Sequence, residues 1–292
     1  MAADNNRFFT LRTEKENKHY RVFKTVKTNP LFFAASGIII ALVIVAIFGN
    51  YLVPHDPIRT DLSFRLRGPS LAFPLGNDAL GRCLLSRILV GTRTSLGLGV
   101  AVVGLSCFFG VLIGLVSGCF GGIVDEFFMR TADIFFSFPE IVAAMGVAGF
   151  IGPGVFSLLF ALSITSWMRY ARVVRGITLS VRERDYIKAA ELASASKMSI
   201  IIRHILPPSI PSIIVLTTLG LAKAILAVSA LGFLGFGVQP PDTEWGLLLM
   251  NGKDYIFSAP HLSWYPGIAI TITVLAFNVA GNGFRDIWEP EC

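Results

Sequence analysis

The amino-acid sequence predicts an all-α integral membrane protein with six transmembrane helices and a cytoplasmic loop that contains two short helices. Charged residues make up 15% of the 292 positions, against ~25% in soluble domains, whereas hydrophobic residues make up 53%. The mean hydropathy is +0.66, and long charge-free stretches recur along the chain. Because a soluble surface needs more charge, this composition excludes a disordered chain, a basic nucleic-acid-binding domain and an ordinary cytosolic enzyme.

The first span is the clearest of the six. Residues 31–53 contain no charged side chain, and about 20 apolar residues in a helix are enough to cross ~30 Å of hydrocarbon. The span follows a polar segment, residues 1–30, which is predicted to be cytoplasmic. No small-residue cleavage pattern follows it, so we expect a retained anchor rather than a removed signal peptide.

Five further apolar stretches predict a membrane core over residues 94–284. The third and fourth spans are short and are separated by the turn-forming pair Gly152 and Pro153. The sixth begins at Trp264 and Tyr265, which are residues typical of the membrane interface. The predicted boundaries of spans two to six are 94–120, 134–151, 154–168, 210–236 and 264–282.

The distribution of Lys and Arg predicts the orientation, because cytoplasmic loops carry an excess of both. With six spans, the two termini and the loops 119–133 and 169–207 lie on one side of the membrane. Seventeen of the 25 Lys and Arg lie on that side, seven lie on the other, and Lys223 lies within a span. Both termini, including the tail 285–292, are therefore predicted to be cytoplasmic, and residues 54–93 are predicted to form a periplasmic loop.

The loop 169–207 is too charged to lie in lipid, yet its apolar residues recur at helical spacing. Two short amphipathic helices are predicted, with Met198, Ile201 and Ile202 in the apolar stripe of the second. Small residues at 193–196 favour a turn or a close helix contact, and two prolines starting at Pro207 are expected to end the second helix. A simple connector is the alternative, but a connector would not require 39 residues with two apolar stripes.

Motifs in this loop and elsewhere resemble one known family. Residues 186–190 (Tyr-Ile-Lys-Ala-Ala), Ser194 and residues 203–207 (Arg-His-Ile-Leu-Pro) resemble the EAA loop of inner-membrane permease subunits of bacterial ABC importers. The branch that serves dipeptides, oligopeptides and nickel has further motifs that are similar to residues 75–82, 129–133, 233–241, 244–246 and 276–278. The resemblance covers roughly residues 70–290 and preserves the order of the motifs.

The resemblance implies that this chain is a transmembrane permease subunit of an ATP-driven importer and not an enzyme. It would form half of the translocation path beside a second homologous permease subunit. Two ATP-binding cassette ATPases and a periplasmic or lipoprotein solute-binding protein would complete the importer. ATP and magnesium would be bound by the ATPases, so we expect no cofactor on this chain. The resemblance places the chain among lipids in the bacterial inner membrane as a multi-pass protein.

The EAA loop of the family docks in a groove on the ATPase. Carried over position by position, the resemblance assigns ATPase coupling to Lys188, Ala189, Ala190, Ser194, Met198, Ile201, Arg203, His204, Leu206 and Pro207. The chain departs from the family pattern at Lys188, where Glu is usual, and at Ser194, where Gly is usual. These departures concern the fine geometry of the loop and not its existence.

The sequence predicts no catalytic, nucleotide or metal site on this chain. Residues 76–83 mimic a phosphate-binding loop, but Arg82 and Cys83 replace its Lys and its Ser or Thr, so a turn-rich outer loop is the better interpretation. All four histidines lie outside the predicted spans, which disfavours an intramembrane enzyme. The remaining alternative is a self-contained channel or ion-coupled carrier. Such a protein would need internal repeats or intramembrane acidic relays, and neither is evident.

Lys223 is the only charged residue predicted deep within a span. A Lys at the centre of a membrane helix costs about 2.5–3.5 kcal/mol on insertion scales, so it should face protein or water. One interpretation is that it lines the translocation path and meets carboxylates of a peptide or an anionic metal chelate. The alternatives are that it pairs with a carboxylate, such as Glu140 or one on the partner subunit, or that its ammonium snorkels to the interface. Asp133 and Glu140 are expected to be boundary residues of the third span.

The substrate is the least determined feature of the sequence. Di- or oligopeptides are expected from the resemblance, with nickel or a metal chelate as the alternative. Val228 stands where peptide permeases often carry Glu, which weakly favours nickel. No cluster of His, Cys and Met marks a nickel path, and no acidic or aromatic pocket marks a peptide path.

Overall fold

A computed structural model describes residues 30–288, which are helical apart from turns and loops and contain no β-strand. The predicted N-terminal segment, except Pro30, and residues 289–292 of the predicted tail lie outside the described residues. The α-helices of the described part are α1 (Pro30–Leu52), α2 (Leu84–Phe120), α3 (Gly122–Phe136), α4 (Glu140–Ile151), α5 (Val155–Arg182), α6 (Asp185–Leu192), α7 (Lys197–Ile200), α8 (Leu206–Phe233), α9 (Trp245–Gly252) and α10 (His261–Trp288). A π-helical segment, Ile201–Ile205, joins α7 to α8, and 3₁₀ turns lie at Leu62–Phe64 and Lys253–Tyr255.

Four helices in the described part are long and apolar enough to cross a membrane: α1, α2, the continuous helix Lys197–Phe233, and His261–Asp286 within α10. The pair α3 and α4, which is bent by 95°, makes a fifth if it is one span. The predicted fourth span, residues 154–168, is the N-terminal half of α5 and does not stand as a separate helix, because α5 continues into a half that carries several arginines. The predicted count of six spans is therefore not confirmed.

Glycine and proline set the boundaries between these helices. α2 ends at Gly121, whose φ of 63° is the left-handed conformation that glycine adopts without steric cost. Pro139 precedes α4 and disfavours a helical residue before it, so the chain bends between α3 and α4. Gly152 and Gly154, with φ of 100° and 145°, form the turn from α4 into α5. The turn predicted at Gly152 and Pro153 lies at this place.

The most extensive helix contact in the described part joins α2 and α5. Three glycines of α2, Gly110, Gly114 and Gly118, face α5 at four-residue intervals. A Cβ atom on Gly114 would lie 2.6 Å from the carbonyl oxygen of Ala171, and one on Gly118 would lie 2.6 Å from Cβ of Thr178. Small residues at this spacing let the backbones of two membrane helices approach closely.

The other helices complete the bundle around α2 and α8. α1 packs against α2, where Gly49 lies against the carbonyl of Leu89, and against α10. One buried cluster joins α2, α8, α9 and α10 around Trp245 and Ile225. Another joins α2, α4, α5 and α8 and contains Val228, which is fully buried. Val228 therefore contributes to helix packing in this structure.

Candidate coupling loop and translocation site

The first predicted helix of the loop is α6, and it ends in a turn at Ser194. The backbone N–H groups of Ala193 and Ala195 donate to the carbonyls of Ala189 and Ala190, at 3.0 and 3.1 Å. The second bond spans six residues, as in a Schellman motif, whose residue after the helix adopts a left-handed conformation. Ser194 has this conformation, with φ of 60°. Backbone geometry therefore explains why glycine would be the usual residue at this position.

The inner side of the loop packs on the bundle. Ile187 of α6 and Ile205 of the π segment are almost fully buried against residues of α2 and α5, among them Leu115 and Val174. The Arg182 side chain adds a hydrogen bond of 2.7 Å to the carbonyl of Gly118 at the end of α2. Four predicted coupling residues are half-buried, namely Ala190, Ile201, His204 and Leu206. These contacts fix the loop to the ends of α2 and α5.

The opposite side of the loop carries the other predicted coupling residues. The exposed ones are Lys188, Ala189, Ser194, Met198, Arg203 and Pro207. The predicted apolar stripe divides here, because Met198 and Ile202 are 65% and 55% exposed whereas Ile201 packs inward. Leu192, which the sequence analysis did not assign to coupling, is 88% exposed on the same loop. We define Leu192, Met198 and Ile202 as the outer ridge of the loop.

The predicted end of the second helix at Pro207 is wrong, because Lys197–Phe233 forms one continuous helix. Proline lacks an N–H group, and its ring clashes with the carbonyl four residues earlier in an α-helix. The chain accommodates Pro207 and Pro208 by widening to the π register just before them, where the Leu206 N–H donates to the carbonyl of Ile201. The predicted start of the loop also shifts, since residues 169–182 belong to α5.

Three arginines at three-residue spacing on α5 pair with acidic residues of α3 and α4. The ion pairs are Arg169–Glu140, Arg172–Asp133 and Arg175–Asp125. Arg175 donates two hydrogen bonds to the Asp125 carboxylate, each 2.5 Å long, and both side chains are largely shielded from solvent. The sequence analysis treated Asp133 and Glu140 as boundary residues and missed these pairs. The regular arginine spacing, which places all three on one helix face, is the signal that was available.

Lys223 lines a small cavity, of about 20 Å³, that lies among α2, α4, α5 and α8. Glu140, Arg169 and Ser106 line the same cavity. The Glu140 carboxylate accepts hydrogen bonds from Arg169 and from the Ser166 hydroxyl. It makes no ion pair with Lys223, which was one of the alternatives for this lysine. Among the described residues, no carboxylate lies within 4 Å of the Lys223 ammonium. Two cations and one anion therefore face this cavity.

The loop that mimics a phosphate-binding sequence is a turn organised around Asp78. The Asp78 carboxylate accepts hydrogen bonds from the backbone N–H groups of Leu80 and Arg82, at 2.9 and 3.0 Å, and from the Arg82 guanidinium at 2.7 Å. Arg87 of α2, which is 1% exposed, lies 3.7 Å from the same carboxylate. The charged residues of this loop therefore bind one another and hold the loop on the start of α2.

Glu244 precedes α9 and is fully buried between α2 and α8. Its Oε1 atom accepts hydrogen bonds from the hydroxyls of Ser95 and Ser229, at 3.1 and 3.3 Å, and its Oε2 atom accepts one from the Leu247 N–H at 3.0 Å. Burial raises the pKa of the Glu244 carboxyl above its ordinary value, although these hydrogen bonds oppose the shift. The sequence analysis named Glu244 only as part of a motif. Its side chain caps the first turn of α9, but Glu is not one of the preferred N-cap residues, so the local sequence did not mark this position.

The apolar helices, the amphipathic loop between α5 and α8 and the partly charged cavity between helices are typical of a multi-span helical membrane protein. Comparison with protein families shows which kind of membrane protein this is. Residues 110–291 match the family described as binding-protein-dependent transport system inner membrane component, and residues 20–69 match the N-terminal TM domain of oligopeptide transport permease C. The chain belongs to this family of ABC importer permease subunits of the bacterial inner membrane, and the resemblance seen in the sequence is confirmed.

Individual relatives cover most of the chain. A probable D,D-dipeptide transport system permease protein of Escherichia coli K12 is 39% identical over 91% of this chain and 89% of its own length. A glutathione transport system permease protein of Pectobacterium atrosepticum is 39% identical over 88% and 86%. A nickel transport system permease protein of Escherichia coli K12 is 36% identical over 87% and 91%. Among solved structures, the MetNI methionine ABC transporter aligns with a TM-score of 0.49 at 21% identity, over 66% of this chain and 94% of the other.

Proposed function

We propose that this chain is one of two permease subunits of an ATP-driven importer of di- or oligopeptides, with both termini in the cytoplasm. The importer has two separate ATPases, one of which binds the loop between α5 and α8, and an external solute-binding protein delivers the substrate. The observation that carries the proposal is the outer ridge, Leu192, Met198 and Ile202, which is exposed on a charged loop whose inner side is buried. Exposed apolar residues with a polar rim are typical of a protein interface.

The loop is built to transmit movement into the bundle. At one end, α7 continues through the π segment into α8 without a break. At the other end, Ile187 packs on α5 and α2. When the ATPases close, a displacement of the outer ridge moves these helices together, as expected when rigid elements shift between two packed arrangements. The ten predicted coupling residues supply either the exposed contact surface or its attachment.

The translocation path runs past Lys223 in this proposal. The cavity there has an excess of one positive charge, because Glu140 already pairs with Arg169. Such a site favours a substrate with a carboxylate and disfavours a free divalent cation. Peptides carry a carboxylate, and an anionic nickel chelate is the alternative substrate that the same charge allows. Pairing of Lys223 with a carboxylate on the second permease subunit is the competing role.

Copurification with the two ATPases tests the coupling surface. Leu192→Asp places a charge on the outer ridge and is expected to reduce recovery of the ATPases about tenfold or more, as for a central interface residue. Ile256→Asp is the matched control, because Ile256 is 48% exposed on the outer loop between α9 and α10. It should copurify the ATPases as the parent does. Equal recovery with both variants would refute ATPase docking at this ridge.

Uptake assays in a strain lacking this chain test the substrate and the path. We expect the chain to restore uptake of a labelled dipeptide but not of free Ni²⁺. Lys223→Met should reduce that uptake strongly, and Lys223→Arg should retain most of it because the charge remains. Restored Ni²⁺ uptake without peptide uptake would favour the nickel alternative. Unchanged transport by an assembled Lys223→Met importer would exclude a path-lining role for Lys223.

A further inference from the structure

α9 packs closely against α8 at the end of the bundle that is predicted to face outward. Trp245 and Leu247 are almost fully buried. A Cβ atom on Gly246 of α9 would lie 2.1 Å from the carbonyl oxygen of Ser229 in α8. At the same interface, a Cβ atom on Gly232 of α8 would lie 2.4 Å from Oε2 of Glu244. α9 is therefore wedged against α8 at a separation that only glycine permits.

This wedge lies on the outer side of the cavity that contains Lys223. Along α8, Ser229 is six residues beyond Lys223, which is about 9 Å in a helix. Along α2, Ser95 is eleven residues from Ser106 of the cavity, or about 16 Å. Both helices run from the cavity to α9, and α9 lies in the connection between α8 and α10 that the predicted orientation places outside. α9 therefore contacts the two helices that line the cavity, at the end of the bundle that is predicted to face outward.

One carboxyl group joins the three elements at this wedge. Glu244 of α9 receives hydrogen bonds from Ser95 of α2 and Ser229 of α8. The Trp245 backbone N–H donates to the Ser95 hydroxyl at 3.1 Å, and the indole N–H donates to the carbonyl of Ile88 at 3.2 Å. Apolar packing alone has little directional preference, whereas a buried polar network selects one arrangement. Among the described residues no cation lies within 4 Å of Glu244, so separation of α9 breaks hydrogen bonds without breaking an ion pair.

We propose that Glu244 is a positioning residue that latches α9 in a closed position through Ser95 and Ser229, and that the outer end opens when α9 leaves these two helices. The inference rests on the proposed function, since a transport cycle requires the outer end to open. If Glu244 were only a helix cap, its loss would lower stability without changing how often α9 becomes accessible from outside.

The experiment measures outside accessibility of α9 in the assembled importer, with its ATPases and solute-binding protein, in proteoliposomes. Leu247→Cys is introduced after the four native cysteines are replaced, and a membrane-impermeant maleimide is added outside. Labelling should be slow at rest because Leu247 is 2% exposed, and about tenfold or more faster in the state trapped with ATP and vanadate. The double variant Ser95→Ala, Ser229→Ala should accelerate labelling at rest. Glu244→Ala should also accelerate labelling at rest. Glu244→Gln keeps hydrogen-bonding capacity and should be labelled as slowly as the parent.

The controls separate the possible failures. Leu71→Cys, at a fully exposed outer position, should be labelled at one rate in every state and variant. Equal labelling of Leu247→Cys at rest and in the trapped state would overturn the opening of α9, and unchanged labelling in the serine double variant would overturn the latch. The serine variant removes only two hydroxyls, so it keeps the test open if Glu244→Ala fails to assemble. Uptake by the parent in the same vesicles shows whether the proposed function itself has failed.

Discussion

Gly114→Ala tests whether α2 and α5 depend on glycine for their close approach. The added Cβ atom would lie 2.6 Å from the Ala171 carbonyl oxygen and 2.9 Å from Cβ of Val174. Ordinary contacts begin near 3.4 Å, so the helices must separate locally by about 0.8 Å or distort. Overpacking of this kind costs about 1–3 kcal/mol, and the higher helix propensity of Ala returns at most about 1 kcal/mol. We therefore expect a net destabilisation of the purified chain in detergent, measured as a lower Tm in thermal unfolding.

Gly104→Ala is the matched control on the same helix. No atom lies within 4 Å of a Cβ atom placed on Gly104, so this variant changes helix propensity without overpacking. The difference between the two variants isolates the packing cost, which we expect to be about 1–3 kcal/mol. If Gly114→Ala unfolds at the same temperature as Gly104→Ala, the close approach of α2 and α5 is wrong.

Three further predictions follow from the ion pairs, the turn and the buried carboxyl. Arg175→Ala and Asp125→Ala should each destabilise the chain by about 1–2 kcal/mol, because the ion pair is bidentate and largely shielded from solvent. In a double-mutant cycle, the double variant should lose less stability than the sum of the two single losses. Additive losses would exclude the pair. Ser194→Gly should raise Tm slightly and Ser194→Val should lower it. The reason is that φ is 60° at this position, and the left-handed conformation costs non-glycine residues about 1–2 kcal/mol. Equal Tm values for the two variants would contradict a left-handed residue in this turn. Burial raises the pKa of the Glu244 carboxyl in the folded chain, so folding favours the protonated form and the parent loses stability as pH rises above the ordinary value of 4.5. The Tm of Glu244→Gln should therefore rise relative to the Tm of the parent as pH increases over this range. A difference in Tm that does not change with pH would contradict the raised pKa of Glu244.

Hydropathy predicted the apolar spans well because the cost of burying charge in lipid acts on each residue separately. α1, α2 and α8 lie where long apolar stretches with few charged residues occur. The count of six could not be derived in this way. The charge of Arg169, Arg172 and Arg175 favours a loop, but these residues extend α5 and pair with acidic residues of α3 and α4. Pairing between distant residues neutralises these charges, and the local spacing of the arginines does not show which residues are their partners.

In the coupling loop, too, local sequence patterns predicted the elements but not the contacts between distant residues. Periodicity predicted α6 and the apolar stripe after it, and small residues marked the turn at Ser194. The rule that proline ends a helix failed at Pro207, because a π register upstream absorbs the missing hydrogen bond and the ring clash. The buried position of Glu244 depends on contacts with Ser95 and Ser229 in two other helices. Such contacts are a property of the assembled bundle and not of the sequence around Glu244.

α2 connects the parts of the molecule to which function has been assigned. Near its C-terminal end, Leu115 contacts the loop and the carbonyl of Gly118 binds Arg182 of α5. Its middle contributes Ser106 to the cavity, and Ser95 nearer its N-terminal end binds Glu244. With 37 residues it is about 55 Å long. Because its glycine face is packed on α5, the C-terminal end of α2 cannot shift alone without moving or breaking that contact. We therefore expect a displacement of the loop to reach the contact between α9 and α8 through one continuous helix. Loosening the α2–α5 contact should uncouple the two ends of α2 before it unfolds either.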